Sequence, residues 1–128
     1  DYIRDVTLVR SYEGYHRESA VYRELSTHFD GRIRFQESDS QTDSSLDVDY
    51  EGIVLGKNIR IGIQVKPVSA RVAHGGIPIT DRAKQNFHKY EKKYGGKVFL
   101  VVSKKRGRIH VLDNTEVINE INNYLETL

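Results

Sequence analysis

The stretch Asp47-Val-Asp-Tyr-Glu-Gly-Ile-Val-Leu-Gly-Lys-Asn-Ile-Arg-Ile-Gly-Ile-Gln-Val-Lys66 predicts two strands joined by a tight turn, and this hairpin decides the fold. Apolar residues occupy alternate positions in its second half, at Ile59, Ile61, Ile63 and Val65. Gln64 and Lys66 are therefore expected on the same face of one strand. Residues 56–58, Gly-Lys-Asn, predict the turn that folds this strand back on the one that carries Asp49. We expect an acid of the first strand to meet Gln64 and Lys66.

These residue types suit the hydrolysis of a phosphodiester. Carboxylate oxygens bind a hard cation such as Mg²⁺, which activates water and neutralises charge on the leaving oxygen. A lysine two residues from a metal ligand can orient or help deprotonate the attacking water, and it can stabilise charge on the phosphoryl oxygens. The pattern therefore predicts a Mg²⁺ site, at which Mn²⁺ is the expected substitute.

The acid, the hairpin and Gln64-Val65-Lys66 resemble the PD-(D/E)XK nuclease superfamily, whose pattern is an acid, a hairpin and then Asp or Glu, any residue, and Lys. Gln64 departs from the commonest form, and Gln-x-Lys is similar to restriction enzymes of the Mrr type. The resemblance, which extends to type II restriction endonucleases, implies that Asp49, Gln64 and Lys66 form the catalytic centre. It also implies that Asp49 and Gln64 are metal ligands.

The choice of acid is open on periodicity alone, because Asp47, Asp49 and Glu51 occupy alternate positions of one strand. Asp49 is preferred because the residues on either side of it, Val48 and Tyr50, resemble the apolar flanks of the superfamily's acid. Asp47 is the second choice as metal ligand.

A first helix is predicted over residues 14–29. Its apolar residues recur at helical spacing, at Val21, Leu25 and Phe29. The resemblance implies a third acid on this helix, and Glu18 matches that position as a catalytic residue and metal ligand. The alternative is that Glu18 only stabilises the helix N-terminus by its charge. Glu24 is a weaker candidate because its neighbours are expected to face solvent.

The remaining elements complete an α/β fold. Predicted in chain order are a strand over Arg32–Gln36, a helix over Asp81–Tyr94 between Thr80 and Gly95-Gly96, strands over Val98–Val102 and Arg108–Leu112, and a helix from the Thr115 cap to Leu125. The order α-β-β-β-α-β-β-α resembles the restriction-endonuclease-like core over residues 14–113. A central mixed sheet flanked by helices is therefore expected.

Two groups of residues are predicted to bind DNA. The first is the basic cluster Lys104, Lys105, Arg106 and Arg108, expected in a turn between the last two strands, where it would contact phosphates. The alternative is a solvated turn that protects a sheet edge. The second group is Ser69, Arg71 and His74, which follow Lys66 closely and are expected to contact the DNA backbone or bases.

Composition restricts the class of protein. The 128 residues, with a net charge of +2, predict a single nuclease domain over residues 1–128, and the lack of Met at position 1 suggests a chain excised from a longer protein. There is no cysteine, no predicted membrane span and no Gly-rich phosphate loop. The five histidines have no metal-binding spacing. We expect a cytoplasmic prokaryotic protein without a nucleotide cofactor.

These patterns favour a Mg²⁺-dependent DNA endonuclease of the restriction type. Cleavage of both strands usually requires two active sites, so a homodimer is expected. A structure-specific nuclease, such as a junction resolvase or repair enzyme, is the alternative within the same chemistry. A non-catalytic DNA-binding domain, in which Gln64 marks a decayed site, is the alternative from another class.

Overall fold

The computed structural model describes residues 19–39, 45–67, 79–107 and 109–128. The first helix, α1, is described over residues 19–28. It is followed by β1 (Ile33–Glu37), β2 (Tyr50–Val54), β3 (Arg60–Pro67), α2 (Asp81–Tyr94), β4 (Gly95–Arg106), β5 (Ile109–Leu112) and α3 (Glu116–Glu126). The predicted element order is confirmed.

The five strands form one mixed sheet in the order β1-β2-β3-β4-β5. All neighbouring pairs are antiparallel except β3 and β4, which are parallel and are joined through α2. A parallel pair needs such a crossover, because the chain must return to the end of the sheet at which the first strand began. The predicted α/β fold with a mixed sheet flanked by helices is therefore confirmed.

The hairpin of β2 and β3 forms as predicted. Gly56 has a positive φ of 79°, which glycine adopts without a steric penalty, and the Lys57 amide donates to the Val54 carbonyl over 3.2 Å. Tyr50 then pairs with Ile63, and Glu51 with Gly62. This register determines which side chains of the two strands meet.

Apolar side chains cover both faces of the sheet. On one face, α1 and α3 contribute Val21, Leu25, Phe29, Val117 and Ile121, which pack with the alternate β3 residues Ile61, Ile63 and Val65. On the other face, a smaller cluster contains Val48, Tyr90 of α2 and Val98. Removing this surface from water is the main favourable contribution to folding.

The two ends of α2 agree with their predicted signals. Thr80 Oγ1 accepts a hydrogen bond from the Ala83 amide over 3.1 Å, and Gly95 adopts a left-handed conformation with φ 81°. β4 starts at Gly95 itself, so it is much longer than the predicted Val98–Val102. None of the helices in the described ranges is long and apolar enough to span a membrane.

Two local predictions are wrong. Lys104 to Arg106 were expected in a turn, but they pair with β5 and belong to β4, because β5 continues the hydrogen bonding of β4 beyond the end of β3. Thr115 precedes α3 but makes no side-chain capping bond, since its backbone is already helical. Nearby, the Asn114 side chain bonds the backbone of β4. Its Oδ1 accepts from the Val102 backbone amide over 2.7 Å, and its Nδ2 donates to the Leu100 carbonyl over 2.9 Å.

Candidate active site

Asp49 lies at the start of β2, beside the end of β3. The regular pairing of β2 with β3 ends at Tyr50 and Ile63, so Asp49 lies at an irregular position just before β2. The Asp49 amide donates to the Ile63 carbonyl over 2.8 Å, and Asp49 Oδ2 accepts from the Val65 amide over 2.7 Å. These bonds hold the carboxylate against the strand that carries Gln64.

Gln64 and Lys66 share one face of β3 by strand alternation, in agreement with the sequence pattern. This is the face covered by α2 near Gly62, where an added Cβ would lie 3.1 Å from side-chain atoms of Val48 and Val98. Gln64 is 7% exposed, and Lys66 at the strand end is half-buried. The polar end of β3 therefore begins where the apolar cover of α2 stops.

Asp47 contacts α2 instead of continuing β2. Its backbone has a positive φ of 57°, and its Oδ2 accepts a hydrogen bond from Asn86 Nδ2 over 2.7 Å. Asn86 is buried, at 5% exposure, among the apolar residues of α2, and it was not among the site residues predicted from the sequence. A polar residue within that apolar stripe was the available signal. The left-handed conformation, which aspartate tolerates, removes Asp47 from the strand alternation assumed above.

Glu51 belongs to a buried polar network. It is 4% exposed, and its carboxylate lies 3.1 Å from Tyr90 Oη and 3.4 Å from both Gln36 Nε2 and an Arg60 guanidinium nitrogen. Burial, followed by the adjacent Glu51 charge, raises the pKa of Tyr90 far above its ordinary value. The phenol therefore stays protonated and donates. Because these donors surround the Glu51 carboxylate, Glu51 stabilises the contact of α2 with the sheet.

Glu24 has a structural role. Its Oε2 accepts a hydrogen bond from the Leu112 amide over 3.1 Å, which joins α1 to the end of β5. The other predicted site residues, Glu18, Ser69, Arg71, His74 and Arg108, lie outside the described residues. Among the described residues, no three His, Cys, Asp or Glu side chains form a group that could hold a metal ion.

A cavity of about 320 Å³ lies between the first described turn of α1 and the adjoining ends of β1 and β2. Ser19, Tyr22, Glu37 and Tyr50 line it. Ser19 follows Glu18 in the chain, and Tyr50 follows Asp49. The start of the described part of α1 and the start of β2 therefore meet at one cavity.

A family model described as MjaI restriction endonuclease matches residues 1–122, which is nearly the whole chain. The chain belongs to the MjaI restriction endonuclease family. This match confirms the resemblance to restriction endonucleases that the sequence motifs indicated. Neither a curated protein nor a solved structure matches the chain significantly.

In this member of the MjaI restriction endonuclease family, a basic hairpin extends from the end of the sheet at which β3 ends with Lys66 and Pro67. The last β3–β4 pair is Pro67 with Ser103, and β4 continues for three more residues, paired with β5. Lys104 Nζ lies 3.6 Å from Asp113 Oδ1, whereas Lys105 and Arg106 are exposed. Lys104, Lys105 and Arg106 of the predicted basic cluster are therefore part of a two-stranded ribbon beside the candidate site.

Proposed function

We propose that this chain is a Mg²⁺-dependent endonuclease that hydrolyses DNA phosphodiester bonds and cuts both strands as a homodimer. The observation that carries the proposal is the Asp49 carboxylate, bonded to the Val65 amide between Gln64 and Lys66. Membership of a restriction endonuclease family supports DNA as the substrate. The end of β3 thus has carboxylate and amide oxygens, from Asp49 and Gln64, beside the ammonium group of Lys66.

The donor set fits the proposed metal. Asp49 offers carboxylate oxygens and Gln64 an amide oxygen, and all-oxygen sites with few protein ligands suit Mg²⁺ and Mn²⁺. When bound, Mg²⁺ would supply an activated water and neutralise charge at the phosphate. The bond from the Val65 amide to Asp49 Oδ2 orients the carboxylate before any ligand arrives.

Lys66 supplies a positive charge from the chain itself. It is half-buried at the end of β3, where a phosphate held beside Asp49 would meet its ammonium group. A partly desolvated cation stabilises negative charge on phosphoryl oxygens more strongly than one in bulk water. We assign Lys66 to charge stabilisation and to orientation of the attacking water.

Glu18 is proposed as the third ligand and the second acidic one. Gln64 adds no negative charge, so the site has one charge fewer than the version with two acids, and another carboxylate would compensate. The choice of Glu18 is supported by this charge deficit and by the acid that the superfamily resemblance implies on the first helix.

Incubation of supercoiled plasmid with the protein tests the proposed function. We expect linear DNA with Mg²⁺ or Mn²⁺ and intact plasmid with EDTA. Four-way junctions and nicked duplexes serve as competing substrates, since preferential cutting of these would favour the structure-specific alternative. Sedimentation of the protein bound to DNA tests the homodimer, and a monomer that makes double-strand breaks would contradict that part.

Gln64→Glu is expected to preserve cleavage and to lower the Mg²⁺ concentration for half-maximal rate, because the added charge strengthens metal binding. Glu18→Ala should raise that concentration by about tenfold or more, through loss of a carboxylate ligand. Both are measured by cleavage rate against Mg²⁺ concentration. Gln85→Glu, an exposed position on α2, is the matched control and should leave the curve unchanged.

The contrary result for Gln64 is also informative. If the wild-type protein binds DNA but is inert with Mg²⁺ and Mn²⁺, while Gln64→Glu gains cleavage, the chain is a binding domain with a decayed site. An unchanged metal curve for Glu18→Ala would remove Glu18 from the ligand set.

A further inference from the structure

Ile109 is an exposed apolar side chain on a basic hairpin. It is 60% exposed, the highest value among the large apolar side chains in the described ranges, and it starts β5 directly opposite Arg106. A branched apolar residue gains nothing from this exposure, and it cannot bind a phosphate. Single exposed apolar side chains are common on protein surfaces, so it is the position of Ile109 on a basic hairpin beside the candidate site that points to an apolar contact there.

The hairpin holds Ile109 at the same end of the strands as the candidate site and on the same face of the sheet. Lys66 pairs with Val102, and alternation along β4 then places Arg106 on the face of Lys66. Ile109 shares this face because it pairs with Arg106. At about 3.3 Å per residue, the three residues of β4 beyond Ser103 extend the hairpin about 10 Å past the end of β3.

The shape and charge of this hairpin fit the major groove of DNA. A two-stranded ribbon is narrow enough to enter a groove about 12 Å wide. Lys105 and Arg106 are exposed at its end and would reach the phosphates on either side. Inside the groove the bases present mostly polar edges, and the 5-methyl group of thymine is the apolar feature that an isoleucine can contact.

We propose that Ile109 is a specificity-determining residue that contacts a thymine 5-methyl group in the major groove. This inference rests on the proposed nuclease function, since it requires DNA at the end of the sheet where Asp49 and Lys66 lie. Lys105 and Arg106 hold the hairpin in the groove through phosphates. Ile109 then distinguishes thymine from a base without the methyl group.

Deoxyuridine provides the test, because it differs from thymidine only by that methyl group. The sequence that wild-type protein cuts is first selected from a randomised duplex library. This duplex is then prepared with thymidine or with deoxyuridine. Binding is measured with the Asp49→Asn variant, which is expected to be deficient in cleavage, so that the duplex stays intact. We expect deoxyuridine to weaken binding by about threefold to tenfold, as for one buried methyl group. With Ile109→Ala added, both duplexes should bind equally.

Two control variants separate this role from general DNA affinity. Leu55→Ala removes another exposed apolar side chain, 47% exposed, at the opposite end of the sheet, and it should keep the wild-type ratio of thymidine to deoxyuridine affinity. Lys105→Ala combined with Arg106→Ala should weaken both duplexes by the same factor and reduce the salt dependence. Thermal melting establishes that each variant is folded.

The outcomes distinguish failure of the inference from failure of the proposed function. If wild-type protein cuts DNA and Ile109→Ala keeps the thymidine preference, or if wild type has no such preference, the role of Ile109 is overturned while the nuclease proposal stands. If wild-type protein neither binds nor cuts DNA, both proposals are overturned.

Discussion

Asp49→Asn is expected to reduce the rate of DNA cleavage by about a thousandfold or more. The substitution removes the negative charge of a metal ligand but keeps the shape of the side chain. The amide oxygen of asparagine can still accept the hydrogen bond from the Val65 amide, so the end of β2 should keep its position. Cleavage rate, DNA affinity and melting temperature measured on one preparation would show loss of the first alone.

Asp47→Asn is the matched control for this prediction. Asparagine tolerates the left-handed backbone at position 47 as well as aspartate does, and it can still bond Asn86. We expect its cleavage rate to stay within about fivefold of wild type, as for a substitution outside the ligand set. The opposite pattern, with Asp47→Asn inactive and Asp49→Asn active, would show that Asp47 is the ligand.

Lys66→Ala is expected to lower kcat by about a hundredfold to a thousandfold, with little change in the Mg²⁺ concentration for half-maximal rate. The ammonium group acts on the phosphate and the attacking water, whereas the metal ligands are other residues. Single-turnover cleavage at saturating protein isolates this step from DNA binding.

Lys57→Ala provides the control for loss of one positive charge. Lys57 is exposed in the turn between β2 and β3, at the sheet end opposite Lys66. It should leave kcat unchanged. If Lys66→Ala lowers only DNA affinity and keeps the wild-type kcat, Lys66 is a phosphate contact without a part in the chemical step.

The order of the elements could be predicted from the sequence because its signals are local. Alternation over residues 59–65 specifies a strand, and the turn at Gly56 requires a backbone conformation that glycine adopts readily. Thr80 and Gly95 mark the ends of α2 through bonds to residues a few positions away. Each signal is complete within about one helical turn or one hairpin, so no distant partner was needed.

The end of β4 could not be predicted in this way. Lys104, Lys105 and Arg106 are polar and follow an apolar run, which is typical of a turn. Their strand conformation depends on hydrogen bonds with β5, which the basic residues themselves do not indicate. Pairing between strands therefore converted a predicted loop into a ribbon.

The sequence by itself determined the hairpin and the shared face of Gln64 and Lys66. It left open which of three acids, Asp47, Asp49 or Glu51, is the metal ligand, because periodicity could not separate them. Only the tertiary structure gave these acids different partners: Asn86 for Asp47, Tyr90 for Glu51 and the Val65 amide for Asp49. The two partners on α2 each lie 39 residues from their acid. Hydrogen bonding and burial depend on groups that are close in space, so equivalent positions in the chain became chemically distinct once α2 packed on the sheet.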